Sequence, residues 1–124
     1  MEAEDLRQIL ALIADYCETL DDGRTEEHLD LYVDDCCLHV FGKDFEGKER
    51  IGRFMGKAHR GKHLSGVPRM TFDADSAHAV SDFVFFREDM KLYSAGTYHD
   101  DFLKTPSGWR IQTRKIEIQL RGSD

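Results

Sequence analysis

Two side chains in this sequence are suited to moving a proton on a small molecule. His63 lies where a glycine-punctuated loop leads into a β-rich run, and histidine, with an unperturbed pKa of about 6.5, is the usual proton carrier at neutral pH. Asp21 directly follows Leu20, the last apolar residue of the first predicted helix. A carboxylate there faces the negative end of the helix dipole and needs a compensating partner. The alternative for Asp21 is an ordinary solvated turn residue.

Tyr16 and Arg114 are two further candidates. Arg114 shares strand parity with the isoleucines that follow it, so it is predicted on the more apolar face of the last strand, where an arginine needs a partner. Tyr16 precedes Asp21 by five residues, which places their side chains about 140° apart on an ideal helix. The structural alternatives are a core aromatic for Tyr16 and a buried ion pair between Arg114 and Asp82.

Three helices are predicted in the first half of the chain. Apolar residues from Leu6 to Leu20 follow a 3.6-residue period, and Gly23 is predicted as a left-handed cap. A short second helix has Thr25 as its predicted N-cap and ends over residues 33–35. A third begins at Lys48 or the next residue.

The rest of the chain is predicted to be mainly β-structure. Residues 36–41 form a short strand, 42–47 a turn and 59–66 a loop, with the long antiparallel strands at 67–72, 78–88, 91–103 and 109–120. The last two form a hairpin around Thr105-Pro106-Ser107-Gly108, whose proline and glycine favour a turn. This order predicts the α+β class, with helices packed on one face of a curved antiparallel sheet in a single domain, 1–124.

Composition narrows the classes of partner. The net charge is −7 and no lysine–arginine cluster could track a phosphate backbone, which argues against nucleic acid and weakly against anionic membranes. An anionic substrate in a locally basic pocket remains compatible with this charge. No apolar run approaches the roughly 20 residues of a membrane span. The acidic start is unlike a signal peptide, and three cysteines, an odd count, suit reduced thiols in a cytoplasmic protein.

Known catalytic and cofactor signatures are absent from the sequence. There is no GxSxG, Walker loop, GxGxxG, CxxC or HExxH motif. His59 and His63 have the i,i+4 spacing of helical zinc ligands, but Gly61 lies between them and no acidic or cysteine ligand follows at a matching interval. The sequence therefore predicts no metal site and no cofactor.

The chain as a whole resembles the SnoaL-like branch of the NTF2-like superfamily, which has a cystatin-like α+β barrel fold. The matching segments, in order, are Tyr16 with Leu20-Asp21, residues 31–35, 47–51, 62–64 and 96–100, and Gly108-Trp109-Arg110 with Arg114. The resemblance implies a cone-like half barrel with three N-terminal helices on the concave face of its sheet. That branch includes polyketide cyclases, scytalone-dehydratase-like enzymes, a bile-acid dehydratase and a dehydrochlorinase.

The resemblance also implies roles for the four candidates. In several eliminating members an Asp at the end of the first helix orients a His that takes a proton from the substrate, and these positions match Asp21 and His63. A tyrosine and an arginine of the dehydratase-like members match Tyr16 and Arg114. One departure is Val67, where related sequences often have asparagine. The superfamily also holds non-catalytic binding modules and the small subunit of ring-hydroxylating dioxygenases, so fold alone does not decide function.

Strand parity and the resemblance together predict a mostly apolar pocket between sheet and helices. Its predicted substrate-binding residues are Leu38, Val40, Phe54, Asp82, Val84, Phe86, Ser94, Tyr98 and Ile118. Such a pocket suits a small hydrophobic ring or a polyketide- or steroid-like substrate. The expected activity is that of a cofactor-independent lyase or isomerase, such as a dehydratase or cyclase, and the alternative is a binding module or a structural subunit. Both faces of the strands carry apolar residues, which favours a homodimer through the open face of the sheet.

Overall fold

The computed structural model describes residues 2–122, which form three helices and a curved, seven-stranded sheet. Met1, Ser123 and Asp124, which the predicted domain includes, lie outside the described residues. The elements are α1 (Ala3–Asp22), α2 (Thr25–Leu29), β1 (Tyr32–Val40), β2 (Lys43–Glu46), α3 (Lys48–Lys57), β3 (Gly61–Ser65), β4 (Arg69–Asp73), β5 (Ser76–Arg87), β6 (Leu92–Thr105) and β7 (Gly108–Arg121). None of the helices within residues 2–122 is long and apolar enough to cross a membrane.

Helix α1 packs its apolar stripe against the sheet. Ile9, Ile13 and Tyr16 recur at the spacing of one helix face and are buried. The helix ends as predicted at Gly23, whose φ of 70° is the left-handed conformation that glycine adopts without a Cβ clash. Asp21 lies in the last turn of this helix, two residues before Gly23.

The sheet is mixed, which corrects the prediction of a wholly antiparallel sheet. Its strand order is β2-β1-β7-β6-β5-β3. The seventh strand, β4, also pairs with β5. The pairing of β1 with β7 is parallel and the other pairings are antiparallel. Parallel neighbours need a long connection, and here most of the chain lies between the two strands, so no local pattern could have revealed the pairing.

Several predicted boundaries were wrong. The predicted turn over 42–47 contains β2, and the predicted loop over 59–66 contains β3. Residues 33–35 belong to β1 rather than to the end of α2, and Arg24 rather than Thr25 is the N-cap of α2. The two missed strands are short, and they form because a neighbouring strand supplies hydrogen-bond partners: β2 lies on β1, and β3 lies on the end of β5.

The predicted β6–β7 hairpin is confirmed and contains a bulge that sets the position of Arg114. Thr105 pairs with Gly108 across the turn. Farther along, Phe102 pairs with Ile111, but Asp100 pairs with Arg114. The extra residue on β7 lets Ile111 and Arg114 face the same buried side despite their odd spacing. An ionisable pair is thereby brought into the core.

Trp109 ties helix α1 to the start of β7. Its indole Nε1–H donates to Asp5 Oδ1 at 2.9 Å, and its backbone N–H donates to Gln8 Oε1 at 3.0 Å. The hydrogen bond from Trp109, with help from Lys104, lowers the pKa of Asp5 to about 2. These contacts hold α1 across the concave face of the sheet, with a cavity left beyond its C-terminal half.

Candidate active site

A mostly apolar cavity of about 290 Å³ lies between the concave face of the sheet and helices α1 and α3. Its walls include Leu38, Ile51, Phe54, Phe83 and Ile118. The volume is at the lower end of the range of about 300 to 1,000 Å³ that is usual for small-molecule sites. An apolar enclosure with a few polar groups suits a compact hydrophobic ligand.

The structure brings Asp21 and His63 together at the edge of this cavity. Asp21 Oδ1 lies 2.6 Å from His63 Nδ1, and the backbone N–H of His63 donates to Asp21 Oδ2 at 2.9 Å. The side chains are 6% and 16% exposed, respectively. An ionised carboxylate only accepts hydrogen bonds, so this contact selects the tautomer in which Nδ1 carries the hydrogen and, in the neutral ring, Nε2 has the lone pair. The His63 ring lines the cavity, and its Nε2 makes no hydrogen bond to any described residue.

Phe85 fixes the plane of the His63 ring. The two rings stack with centroids 4.1 Å apart and an interplanar angle of 24°. Residues His63 and Phe85 are direct partners in the β3–β5 pairing, so the stacking follows from the strand register. Sequence reasoning missed this residue. The signal was the alternation of Phe83 and Phe85 on β5, which marks one possible inner face.

Arg114 is fully buried and forms a two-bond ion pair with Asp100. Its Nε and Nη2 donate to the two carboxylate oxygens at 2.7 and 2.8 Å. Burial alone would lower the pKa of Arg114, but the Asp100 carboxylate outweighs it and raises that pKa well above its ordinary value. The guanidinium carbon lies 4.0 Å from the Tyr16 ring centroid and 3.8 Å from that of Tyr98. Asp82, the alternative partner considered from the sequence, instead accepts from Thr97 Oγ1 at 3.3 Å.

Arg114 therefore lies behind the part of the cavity wall that Tyr16 and Tyr98 form. Tyr16 and Tyr98 line the cavity, whereas Arg114 does not. Burial raises the pKa of Tyr16, and it raises that of Tyr98 well above its ordinary value. Both hydroxyls consequently keep their protons at neutral pH and can donate to an oxygen on a ligand.

The predicted lining divides between the two faces of the sheet. Six of the nine residues do line the cavity, namely Leu38, Val40, Phe54, Ser94, Tyr98 and Ile118. The other three, Asp82, Val84 and Phe86, alternate with the cavity-lining Phe83 and Phe85 along β5 and are absent from the wall. Since both faces of this strand are apolar, parity alone could not decide which one points inward.

A second histidine, missed from the sequence, lies in the cavity wall with a defined tautomer. Thr19 Oγ1 donates its hydrogen to the backbone oxygen of Asp15 at 2.7 Å, so it can only accept from His28 Nδ1–H, 2.9 Å away. His28 Nε2 then accepts from the Tyr32 hydroxyl at 3.0 Å. Each donor in this chain has an acceptor, which locks His28 as a neutral ring.

His28 is expected to make the protein less stable in mild acid. Burial, with the charges of Arg114 and His63, lowers its pKa to about 4. Below about pH 6.5, His28 is protonated in the unfolded chain but stays neutral in the folded protein. The free energy of unfolding should therefore fall by about 3 kcal/mol between pH 6.5 and pH 4. Urea unfolding of the wild type and of His28→Gln over this range measures how steeply the free energy of unfolding falls with pH in each protein. Parallel pH profiles for the two proteins would contradict the role of His28.

A separate group of metal-ligand side chains lies on the β1–β2 hairpin. Ligand atoms of Cys37, His39 and Asp44 lie within 4.8 Å of one another, and nitrogen, sulfur and oxygen donors of this kind suit zinc. His39 Nδ1 and Asp44 Oδ1 are already hydrogen-bonded to each other. None of these three side chains lines the cavity that contains His63.

Comparison with known proteins agrees with this architecture. The sequence pattern of the SnoaL-like domain matches residues 1–115. An uncharacterized protein of Mycobacterium tuberculosis (strain H37Rv) is 28% identical, with 95% of this chain and 87% of that protein covered. An NTF2-like protein with a cystatin-like fold from Novosphingobium aromaticivorans has a TM-score of 0.87 at 27% identity and covers 97% of this chain and 84% of its own. A scytalone-dehydratase-like protein of the same organism has a TM-score of 0.80 at 20% identity, covering 94% and 85%. The predicted α+β fold, with a curved sheet, N-terminal helices and cystatin-like architecture, is thereby confirmed.

Proposed function

The chain belongs to the SnoaL-like domain family, and on that premise we propose that it is a cofactor-independent lyase or isomerase that removes a proton from a small hydrophobic substrate. The elimination of water, as in a dehydratase, is the reaction we favour. Isomerisation and cyclisation begin with the same proton removal and the same enolate-like intermediate. The similarity to a scytalone-dehydratase-like protein agrees with this choice.

One observation carries the proposal: a histidine that is hydrogen-bonded to a carboxylate lines an apolar cavity, and its other ring nitrogen has no hydrogen-bond partner among the described residues. Asp21 Oδ1 accepts the hydrogen bond from His63 Nδ1 at 2.6 Å, which leaves Nε2 as the basic atom. The wall of the cavity that His63 lines is mostly apolar. A general base in such a site is positioned by geometry first, and the buried Asp21 supports the imidazolium that forms.

The residues allow a balanced elimination. His63 Nε2 takes a proton from the carbon next to a substrate carbonyl, and negative charge develops on the carbonyl oxygen. The hydroxyl of Tyr16 or Tyr98 donates a hydrogen bond to that oxygen, which in a dry site can contribute about 3 kcal/mol. The C–O bond of a β-hydroxyl then breaks, the proton on His63 goes to the departing oxygen, and water leaves with a carbon–carbon double bond formed.

The proposal can be tested without the natural substrate. 3-Hydroxy-1-tetralone is a two-ring β-hydroxy ketone that loses water and tautomerises to 1-naphthol, whose fluorescence is easily followed. We expect the protein to accelerate naphthol formation and to exchange the C2 hydrogens of 1-tetralone in D₂O, as seen by NMR. Failure to accelerate either reaction, together with tight binding of the ring, would favour a non-catalytic role.

Asp21→Asn should slow naphthol formation by about 10²- to 10⁴-fold, in the range attributed to a positioned acid–base group. The amide cannot supply a negative charge to the imidazolium, and its NH₂ group can hold the ring in the opposite tautomer. Measurement of kcat for this variant, with Asp22→Asn as the exposed neighbouring control, checks the result. Equal rates for the two variants would show that Asp21 does not support the base.

A binding module is the second candidate function, and one contact favours it. Asp21 also accepts the backbone N–H of His63 at 2.9 Å, so the pair fastens β3 to α1 whether or not catalysis occurs. This role predicts that a bound ring raises the melting temperature while 3-hydroxy-1-tetralone remains unchanged. The two candidates are thus separated by turnover rather than by binding.

The predicted homodimer and cytoplasmic location belong to the same proposal. The outward face of β5 carries the half-buried Val84 and Phe86, and a partner copy across this face would cover them. Sedimentation of the wild type and Phe86→Glu tests the dimer: the variant should sediment as a monomer.

A further inference from the structure

The side chains that line the cavity include basic residues but, among the described residues, no acidic one. The chain as a whole has 24 acidic and 17 basic residues, yet among the described residues that line the cavity there is no aspartate or glutamate. Lys57 and three histidines, His28, His59 and His63, are the ionisable residues of that wall apart from its tyrosines. Asp21 lies at the edge of the cavity, where it is hydrogen-bonded to His63, but among the described residues the wall itself carries no carboxylate, although acidic residues are in excess in the chain as a whole.

The cationic groups concentrate at the mouth of the cavity. Phe41, Lys57 and His59 line the cavity and are also exposed, so they mark its opening to solvent. The Arg121 guanidinium carbon lies 5.4 Å from the Phe41 ring centroid. Phe41 in turn packs near Phe54, with ring centroids 6.2 Å apart, and Phe54 is one helical turn before Lys57 on α3. Arg121 and Lys57 therefore flank the same aromatic group at the entrance.

Neither of these cations has a carboxylate partner among the described residues. Between residues 2 and 122, Lys57 and Arg121 form no ion pair, whereas their neighbours Lys48, Arg53 and Lys62 each lie within 4.0 Å of a carboxylate oxygen. Lys57 is also at the C-terminal end of α3, where a cation interacts favourably with the negative end of the helix dipole. That explanation accounts for one lysine and not for Arg121, which lies on β7, or for the absence of carboxylates in the wall.

We propose that the substrate is an apolar ring system that carries an anionic substituent, of which a carboxylate is the simplest form. The ring occupies the apolar interior beside His63 and Phe85, and the anion remains at the mouth, where Lys57 and Arg121 attract it. A partly desolvated anion beside two cations that have no carboxylate partner within residues 2–122 is favoured over a neutral group of the same shape. This substrate class rests on the proposed function for the identity of the reacting ring, but the charge preference concerns binding alone.

A matched pair of ligands tests the charge preference. 2-Naphthoate and 2-naphthamide have nearly the same shape and differ in charge, and isothermal titration calorimetry gives the Kd of each. We expect naphthoate to bind at least tenfold more tightly at low ionic strength, with the ratio shrinking as NaCl is added because salt screens exposed charges. Lys57→Gln and Arg121→Gln should each lower the ratio severalfold, while Arg69→Gln, on β4 outside the cavity, should leave it unchanged.

The outcomes separate this inference from the proposed function. Equal or weaker binding of naphthoate, binding of neither ligand, or an equal effect of Arg69→Gln would overturn the anionic substrate class. If that happens while 3-hydroxy-1-tetralone is still dehydrated, the lyase proposal stands alone. If naphthoate is preferred but no proton is removed from either tetralone, the anion site stands and the catalytic proposal falls.

Discussion

His63→Ala should reduce the rate of 1-naphthol formation from 3-hydroxy-1-tetralone to nearly the uncatalysed rate. In the proposed mechanism His63 Nε2 is the atom that takes the proton, and no other described side chain of the cavity wall is a histidine hydrogen-bonded to a carboxylate. A positioned general base typically contributes about 10² to 10⁴ in rate, so kcat should fall by at least that factor. Steady-state kinetics with the purified variant measures the loss.

Two comparisons make this result specific. His59→Ala removes another histidine that lines the cavity, but His59 packs against Tyr93 and has no carboxylate partner among the described residues. It should keep most of the activity. The folded structure of His63→Ala should survive, because the backbone N–H of residue 63 still donates to Asp21 Oδ2. Addition of imidazole to this variant should restore part of the rate. Full activity in His63→Ala would exclude the mechanism.

Asp100→Ala should be among the most destabilising single substitutions in the protein. Asp100 and Arg114 are both fully buried, and the guanidinium Nη1 already has no hydrogen-bond partner within residues 2–122. Removal of the carboxylate leaves a buried positive charge with only the faces of Tyr16 and Tyr98 beside it. Breaking such a pair costs about 3 to 5 kcal/mol. Urea denaturation of the variant gives the change in the free energy of unfolding.

The double variant Asp100→Leu/Arg114→Met keeps this prediction testable if Asp100→Ala does not fold. Removal of both charges leaves no uncompensated ion, so the double variant should be more stable than Asp100→Ala by most of the loss. Asp101→Ala provides the matched control, because Asp101 is exposed and, within residues 2–122, its carboxylate is hydrogen-bonded to His78 and Thr113 alone. A loss for Asp100→Ala no larger than that for Asp101→Ala would mean that the buried pair does not govern stability.

Local signals in the sequence determined the main elements. The apolar period of α1 and its stop at Gly23 depend on residues within one or two turns of one another, and the structure agrees with both. The hairpin of β6 and β7 was likewise set by four consecutive residues, 105–108. The pairing of Asp21 with His63 was predicted from the resemblance of the chain to SnoaL-like proteins. These two residues lie 42 positions apart and have no local signal in common.

Tertiary structure alone decided which groups meet. The strand β3 exists because the end of β5 offers it a free edge, and the inward choice of Phe83 and Phe85 over Val84 and Phe86 depends on how β5 pairs with β6. Asp100 faces Arg114 because of one extra residue on β7. The physical reason is the same for the last two: a one-residue change of register reverses every side chain of a strand. Sequence patterning determined that the strands would be apolar, and the long-range pairing of the sheet determined which side of each one became the site.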